Sequence, residues 1–222
     1  MSTLGQPDFV PVRPIAEVMA EALRATPPAE EGPLNTPDLV ELRSLFPSLH
    51  YGSRCATDHD FTTFGYFPIT KAFAQRTLAK ALAKAIKTLT AQNFGVIVHD
   101  AYRPWHLTYV FWHVTAEEHH NFVANPARGS MHNRGLAVDL SLYDLKTNQP
   151  LAMPSEVDEL SERAFTNYNE PDPEKRHRRD ALQNAMTDAG FESLIDEWWH
   201  FAYRTKPLYP IMNTPIEAIK VS

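Results

Sequence analysis

Three short segments, distant from one another in the sequence, contain side chains of the types that hold a catalytic zinc ion: 100–104, 130–139 and 197–200. His132, Asp139 and His200 supply two imidazoles and one carboxylate. A zinc ion in a hydrolase typically has three protein ligands, and its fourth position holds a water whose pKa the metal lowers to about 7. We therefore predict that these three residues bind one Zn²⁺ ion per chain.

Two charged residues beside the predicted ligands could take part in hydrolysis. Glu197 precedes His200 by three residues, so its carboxylate could accept a proton from the zinc-bound water and transfer it to a leaving amine. Arg103 is a permanent cation that could stabilise the oxyanion of a tetrahedral intermediate. The alternative for Arg103 is a buried ion pair with Asp100 or another acid. We expect the loss of Arg103 to lower turnover more than binding.

The spacing of His132 and Asp139 predicts a bend in the backbone between them. The two residues are seven positions apart, so in a straight strand their side chains would point to opposite faces. Gly135 would permit a bend that places His132 on a loop. Asp139 would then lie on a strand at 136–143, where apolar and polar residues alternate. We expect Asp139 to point away from the apolar face of this strand.

The remaining elements form a mixed order of helices and strands. Glu197 and His200 are also an odd number of residues apart, which predicts a turn or twist at Trp198 and Trp199. Apolar spacing predicts a helix at 70–92, with Thr70 as N-cap and Phe73 on the apolar face. We also expect helices at 104–122 and at 178–189, the latter ended by Gly190, and strands at the β-branched run 96–98 and the aromatic-rich stretch 197–203. This order indicates an α+β fold.

Proline is concentrated near the N-terminus, where eight of the 18 prolines lie within the first 47 residues. This distribution predicts an irregular wrap over residues 1–50, with a short helix near 15–24. We assign the wrap to the same domain as a catalytic region at 51–222.

Composition excludes several other classes of protein. The 222 residues carry a formal net charge of -6 and form no long basic stripe, so we expect no binding to nucleic acid. No apolar run approaches the roughly 20 residues that span a membrane. The single Cys55 excludes an internal disulfide and a cysteine-based zinc site. The first residues do not have the pattern of a secretory signal, so we expect a cytoplasmic location.

The spaced segments resemble a known enzyme family. Ser-x-His-x-x-Gly-x-Ala-x-Asp, with Glu-x-x-His downstream and Asp-Ala-Tyr-Arg-Pro upstream, is similar to the zinc D-alanyl-D-alanine dipeptidases of the VanX type, over residues 56–204. The resemblance implies a small antiparallel sheet that carries zinc on one face and is covered by helices on the other. It also implies hydrolysis of free D-Ala-D-Ala to two D-alanines, with zinc ligands His132, Asp139 and His200, general base Glu197, transition-state arginine Arg103, and substrate-ammonium contacts Ser130 and Asp158.

One position departs from the family, and two other functions stay open. Cys55 precedes Ala56-Thr57 where the family commonly has tyrosine, which predicts an altered substrate preference. A D,D- or L,D-carboxypeptidase or endopeptidase of peptidoglycan stems would share the zinc motif, but it would need access to the cell wall. A non-catalytic zinc domain would not need Glu197 beside an open coordination position. The sequence also leaves open whether the chain forms a homo-oligomer.

Overall fold

A computed structural model of the protein describes residues 10–52 and 71–220 and shows an α+β fold, as predicted. The α-helices in these ranges are α1 (Ile15–Ala22), α2 (Leu42–Leu45), α3 (Arg76–Thr90), α4 (Trp105–Val114) and α5 (Pro173–Asp188). The strands in these ranges are β1 (Leu39–Glu41), β2 (His50–Tyr51), β3 (Phe73–Gln75), β4 (Phe94–Asp100), β5 (Ala137–Asp144), β6 (Glu192–Ser193) and β7 (His200–Ala202).

The central sheet has five strands in the order β2-β4-β5-β7-β6. Strand β2 runs parallel to β4, and the other three neighbouring pairs are antiparallel. Strands β1 and β3 form a separate antiparallel pair. In the central sheet, Asp139 on β5 lies directly opposite His200 on β7. This register brings two predicted zinc ligands together, since opposite residues of an antiparallel pair have Cβ atoms about 5 Å apart.

Strand β5 has the predicted alternation and separates the core from the site. Val138, Leu140 and Leu142 are fully buried in the main hydrophobic core. The same core contains Leu82 of α3 and Leu182 of α5, so these two helices cover the apolar face of the sheet. Asp139 and Ser141 point to the opposite face, as side chains alternate along a strand.

Two predicted helices have different boundaries in the structure. The predicted 70–92 helix begins only at Arg76, because Phe73 lies in strand β3 and pairs with Glu41 of β1. Thr70, the predicted cap, lies outside the described residues. The predicted 104–122 helix ends at Val114, because Thr115 has extended backbone angles. One short stretch of 3₁₀ helix, Glu117–Phe122, follows it.

Helix α5 and strand β7 also differ from their predicted ranges. Helix α5 begins five residues earlier than predicted, because Asp172 caps it by accepting hydrogen bonds from two backbone N–H groups and Pro173 occupies its first turn. The predicted 197–203 strand is limited to His200–Ala202. The chain before it is a turn at the two tryptophans, as the odd separation of Glu197 and His200 predicts.

The N-terminal region contains the predicted short helix, α1, which packs against α4 through Val18 and Val110. Further along, Glu30 forms an ion pair with Arg134 at 2.5 Å. The other carboxylate oxygen of Glu30 accepts a hydrogen bond from the backbone N–H of Ile211. The contact with Arg134 attaches the segment to the turn that carries His132, and the contact with Ile211 attaches it to the chain that follows β7. Among the described residues, no helix combines the length and the hydropathy that crossing a membrane requires.

Candidate active site

His132, Asp139 and His200 form one buried cluster. His132 Nε2 lies 3.1 Å from His200 Nδ1 and 3.4 Å from Asp139 Oδ2. His200 Nδ1 lies 3.0 Å from Asp139 Oδ1. Three atoms that bind one tetrahedral zinc ion at about 2.0–2.1 Å are about 3.3 Å apart. The observed separations and the N,N,O donor set therefore fit a zinc ion.

The turn that carries His132 depends on Gly135, as predicted. His132 belongs to one turn of 3₁₀ helix, His132–Arg134, which Gly135 ends with a φ of 65°. A Cβ atom at this glycine would lie 2.8 Å from Leu39 Cδ2. The backbone N–H of Gln75 also donates to the Gly135 carbonyl at 2.9 Å. The left-handed conformation and the close neighbours both favour glycine, and the turn leads directly into β5.

A backbone hydrogen bond fixes the orientation of the His132 ring. Its Nδ1 lies 2.7 Å from the carbonyl oxygen of Ala101, which can only accept, so Nδ1 carries the hydrogen. In the neutral ring, which is the form that binds a metal, Nε2 then faces His200 and Asp139 with its lone pair. Ligating histidines usually have such a partner for the second ring nitrogen, because it holds the tautomer and the orientation that metal binding needs.

Burial and mutual charges set the protonation of the cluster. Burial lowers the pKa of His200. Burial also acts to lower the pKa of His132, but the charges of Asp139 and Asp100 outweigh it and raise that pKa. Burial acts to raise the pKa of Asp139, yet His132 and His200 hold it well below its usual value. Asp139 is therefore ionised and His200 neutral at neutral pH, which are the forms that bind a metal.

A cavity of about 280 Å³ opens beside this cluster. The seven residues predicted as metal ligands, catalytic residues or substrate contacts all line it: Arg103, Ser130, His132, Asp139, Asp158, Glu197 and His200. They come from four separate stretches of the chain, and the fold brings them to one place. Phe111, Phe122 and Leu194 contribute apolar surface to the same cavity.

Glu197 lies at the start of the turn that leads into β7. The backbone N–H of His200 donates to the Glu197 carbonyl at 3.3 Å, which closes the turn, and Glu197 Oε2 is 3.8 Å from His200 Nδ1. The buried Trp198 secures this turn, because its indole N–H donates to Ser155 Oγ at 2.8 Å. Burial raises the pKa of Glu197 well above its usual value, and the charges of Asp139 and Asp158 raise it further.

Arg103 forms the ion pair with Asp100 that the sequence left open as an alternative, and its side chain also lines the cavity. It forms an ion pair with Asp100 at 3.1 Å, and it lines the cavity with its guanidinium 4.8 Å from the ring centre of Phe111. Its Nε atom is buried and has no hydrogen-bond partner among the described residues. An unpaired buried donor is costly, so this atom is suited to an acceptor on a bound ligand.

Ser130 and Asp158 lie on opposite sides of Asp139 in the sequence, and both line the cavity. Ser130 Oγ accepts a hydrogen bond from the backbone N–H of His132 at 3.2 Å, so it also stabilises the turn. Asp158 has a φ of 61°, an uncommon conformation for a residue other than glycine. Its charge is close enough to Glu197 to raise the pKa of that carboxyl.

Sequence reasoning missed Asn133 and the residues at the mouth of the cavity. Asn133 is fully buried and bonds to the segments of Arg103 and Ser130. Glu192 and Arg204 line the cavity and form an exposed ion pair at 2.5 Å. Nothing in the local sequence distinguishes these residues from ordinary polar side chains. Cys55, Ala56 and Thr57 lie outside the described residues.

The known proteins that are similar to this chain share one description. A family model described as D-ala-D-ala dipeptidase matches residues 35–221, a longer range than the 56–204 of the sequence resemblance. A D-alanyl-D-alanine dipeptidase from Escherichia coli is 29% identical over 178 residues, which cover 80% of this chain and 91% of that protein. The enzyme of the same name from Enterococcus faecium is 28% identical over 188 residues, 76% of this chain and 92% of that protein. The chain therefore belongs to the D-Ala-D-Ala dipeptidase family of peptidases.

Proposed function

We propose that the protein is a zinc-dependent dipeptidase that hydrolyses free D-Ala-D-Ala to two D-alanines. His132, Asp139 and His200 hold the zinc ion, Glu197 is the general base, and Arg103 stabilises the transition state. The observation that carries the proposal is that these residues, together with Ser130 and Asp158, line one small cavity beside a buried donor set. The family to which the chain belongs supports the choice of substrate.

Glu197 and Arg103 have separate roles in the reaction: Glu197 transfers a proton, and Arg103 stabilises a negative charge. When bound, zinc acts as a Lewis acid, lowers the pKa of a water, and favours the carboxylate form of Glu197 by its positive charge. Glu197 removes a proton from the attacking water as the new C–O bond forms, and then gives this proton to the amine as the C–N bond breaks. Arg103 stabilises the negative charge on the former carbonyl oxygen.

Ser130 and Asp158 select a substrate with a free ammonium group. Asp158 lines the cavity and pairs with the ammonium group, while Ser130 adds a polar contact beside His132. A peptide bond inside a longer chain has no ammonium group at this distance, so such a complex would lack the ion pair between the ammonium group and the Asp158 carboxylate. The same carboxylate therefore favours dipeptides over peptidoglycan stems. The cytoplasmic location and the domain division stay predictions, and the oligomeric state stays open.

Hydrolysis of a substrate panel by the zinc-loaded protein tests this proposal. The panel contains D-Ala-D-Ala, L-Ala-D-Ala, L-Ala-L-Ala and a pentapeptide stem. Glu197→Gln is the matched control, since it keeps the shape of the side chain but removes its acid–base function. We expect D-Ala-D-Ala to be cleaved best and the variant to lose turnover while it still binds zinc.

Other outcomes would contradict the proposal in distinguishable ways. Preferential cleavage of the pentapeptide would make the protein a peptidase of wall stems. Bound zinc without turnover of any member of the panel would indicate a non-catalytic zinc domain. Undiminished turnover by Glu197→Gln would remove Glu197 from its role as general base.

A further inference from the structure

Asn133 is a fully buried polar residue in the turn between Ser130 and β5. Its side-chain Nδ2 donates to the backbone carbonyl of Arg103 and to Thr108 Oγ1, each at 2.9 Å. Its Oδ1 accepts from the backbone N–H of Ser130 at 2.8 Å. Both amide hydrogens and the amide oxygen are thus in use, and the partners fix which end of the amide is which.

The contacts of Asn133 join segments that are separate in the sequence. Arg103 precedes α4, whereas Ser130 and His132 belong to the turn that leads to β5. The backbone N–H of Arg103 donates to the carbonyl of His132 at 3.2 Å, and the carbonyl of Arg103 accepts from Asn133. The peptide groups on both sides of Arg103 are therefore held by two consecutive residues of the turn.

We propose that Asn133 is a positioning residue that fixes Arg103, and to a lesser degree Ser130, relative to the metal ligand His132. Asn133 itself does not line the cavity among the described residues, so it acts through these neighbours. The guanidinium of Arg103 contacts Asp100 and Phe111, but its Nε has no hydrogen-bond partner among the described residues. The backbone hydrogen bonds from the turn therefore add to the positioning of Arg103. This inference rests on the proposed function, in which Arg103 stabilises the transition state.

Replacement of the amide should affect turnover through Arg103. Asn133→Leu has nearly the same shape but removes all three hydrogen bonds, which frees the Arg103 carbonyl and the Ser130 N–H. A displacement of about 1 Å at a reacting group can cost about 100-fold in rate. We expect kcat for D-Ala-D-Ala to fall by about 10- to 100-fold, with a smaller rise in KM and no loss of bound zinc.

A double-mutant cycle separates positioning from general destabilisation. If Asn133 acts through Arg103, then Asn133→Leu should lower kcat by less than about threefold in an Arg103→Ala background. Leu89→Ala, in the core at the end of α3 and away from the cavity, is the stability control. It should lower the thermal midpoint without lowering kcat. If Asn133→Leu does not fold, Asn133→Ala replaces it, since the smaller side chain leaves room for water.

The outcomes distinguish this inference from the proposed function. An equal loss of kcat by Asn133→Leu with and without Arg103 would overturn the positioning role while the wild-type turnover upholds the dipeptidase. A loss of kcat in Leu89→Ala as large as that in Asn133→Leu would also overturn it. Absence of wild-type turnover would overturn the proposed function and this inference together.

Discussion

Replacement of Gly135 by alanine tests whether the turn between His132 and Asp139 requires a left-handed residue. The φ of 65° disfavours any residue with a Cβ atom by about 1–2 kcal/mol. The added Cβ would also lie 2.8 Å from Leu39 Cδ2 and 3.3 Å from the Gln75 backbone nitrogen. Overpacking of this kind typically costs about 1–3 kcal/mol more. We therefore expect Gly135→Ala to lower the free energy of unfolding by about 2–5 kcal/mol.

Gly32 offers a matched control for the backbone part of this cost. Its φ is 87°, but a Cβ atom there would have nothing within 4 Å. Gly32→Ala should therefore lose only about 1–2 kcal/mol. Urea unfolding measures how much free energy of unfolding each variant loses. The zinc content after dialysis reports on the position of His132. Equal stability of the two variants, or full zinc retention by a strongly destabilised Gly135→Ala, would show that the position of His132 does not depend on glycine at this turn.

Three further variants test individual side chains. Arg103→Ala should lower kcat for D-Ala-D-Ala by about 100- to 1000-fold with a smaller change in KM, because it removes a donor to the oxyanion; a change confined to KM in steady-state kinetics would contradict this. Asp158→Ala should raise KM sharply for dipeptides with unchanged zinc content, and an unaltered KM would remove Asp158 from the substrate site. Asp144→Asn tests pH dependence. Backbone N–H groups of Thr147 and Lys146 hold the pKa of Asp144 below its usual value, so the carboxylate stabilises the fold at neutral pH and loses this effect as the pH falls below the usual aspartate range. The stability advantage of the wild type over Asp144→Asn in thermal unfolding should therefore shrink in acid, and an advantage that grows there would be inconsistent with the depressed pKa.

Residues whose position follows from local periodicity could be predicted from the sequence. The alternation along 136–143 identified the face of β5 that carries Asp139, because successive side chains of a strand point in opposite directions. The odd separations around Gly135 and the two tryptophans predicted turns, and the structure has a turn at each. These predictions succeeded because each depends on a few consecutive residues.

Features that depend on distant contacts could not be predicted in this way. Phe73 fits the apolar spacing of the following helix, yet its pairing with Glu41 places it in a strand. Asn133 looks like an ordinary turn residue until the fold brings the Arg103 carbonyl to its amide. Helix α5 starts earlier than predicted at Asp172-Pro173, a typical helix start, because the prediction used only the signal at its end, Gly190.

Zinc titration of the metal-free protein tests the central claim most directly. Bound zinc per chain and the rate of D-Ala-D-Ala hydrolysis would be measured in the same samples. We expect no hydrolysis without zinc and a rate that rises in proportion to bound metal until one zinc per chain is reached. Hydrolysis that is undiminished in the metal-free protein, or one bound zinc per chain without hydrolysis, would show that the protein is not a zinc-dependent dipeptidase.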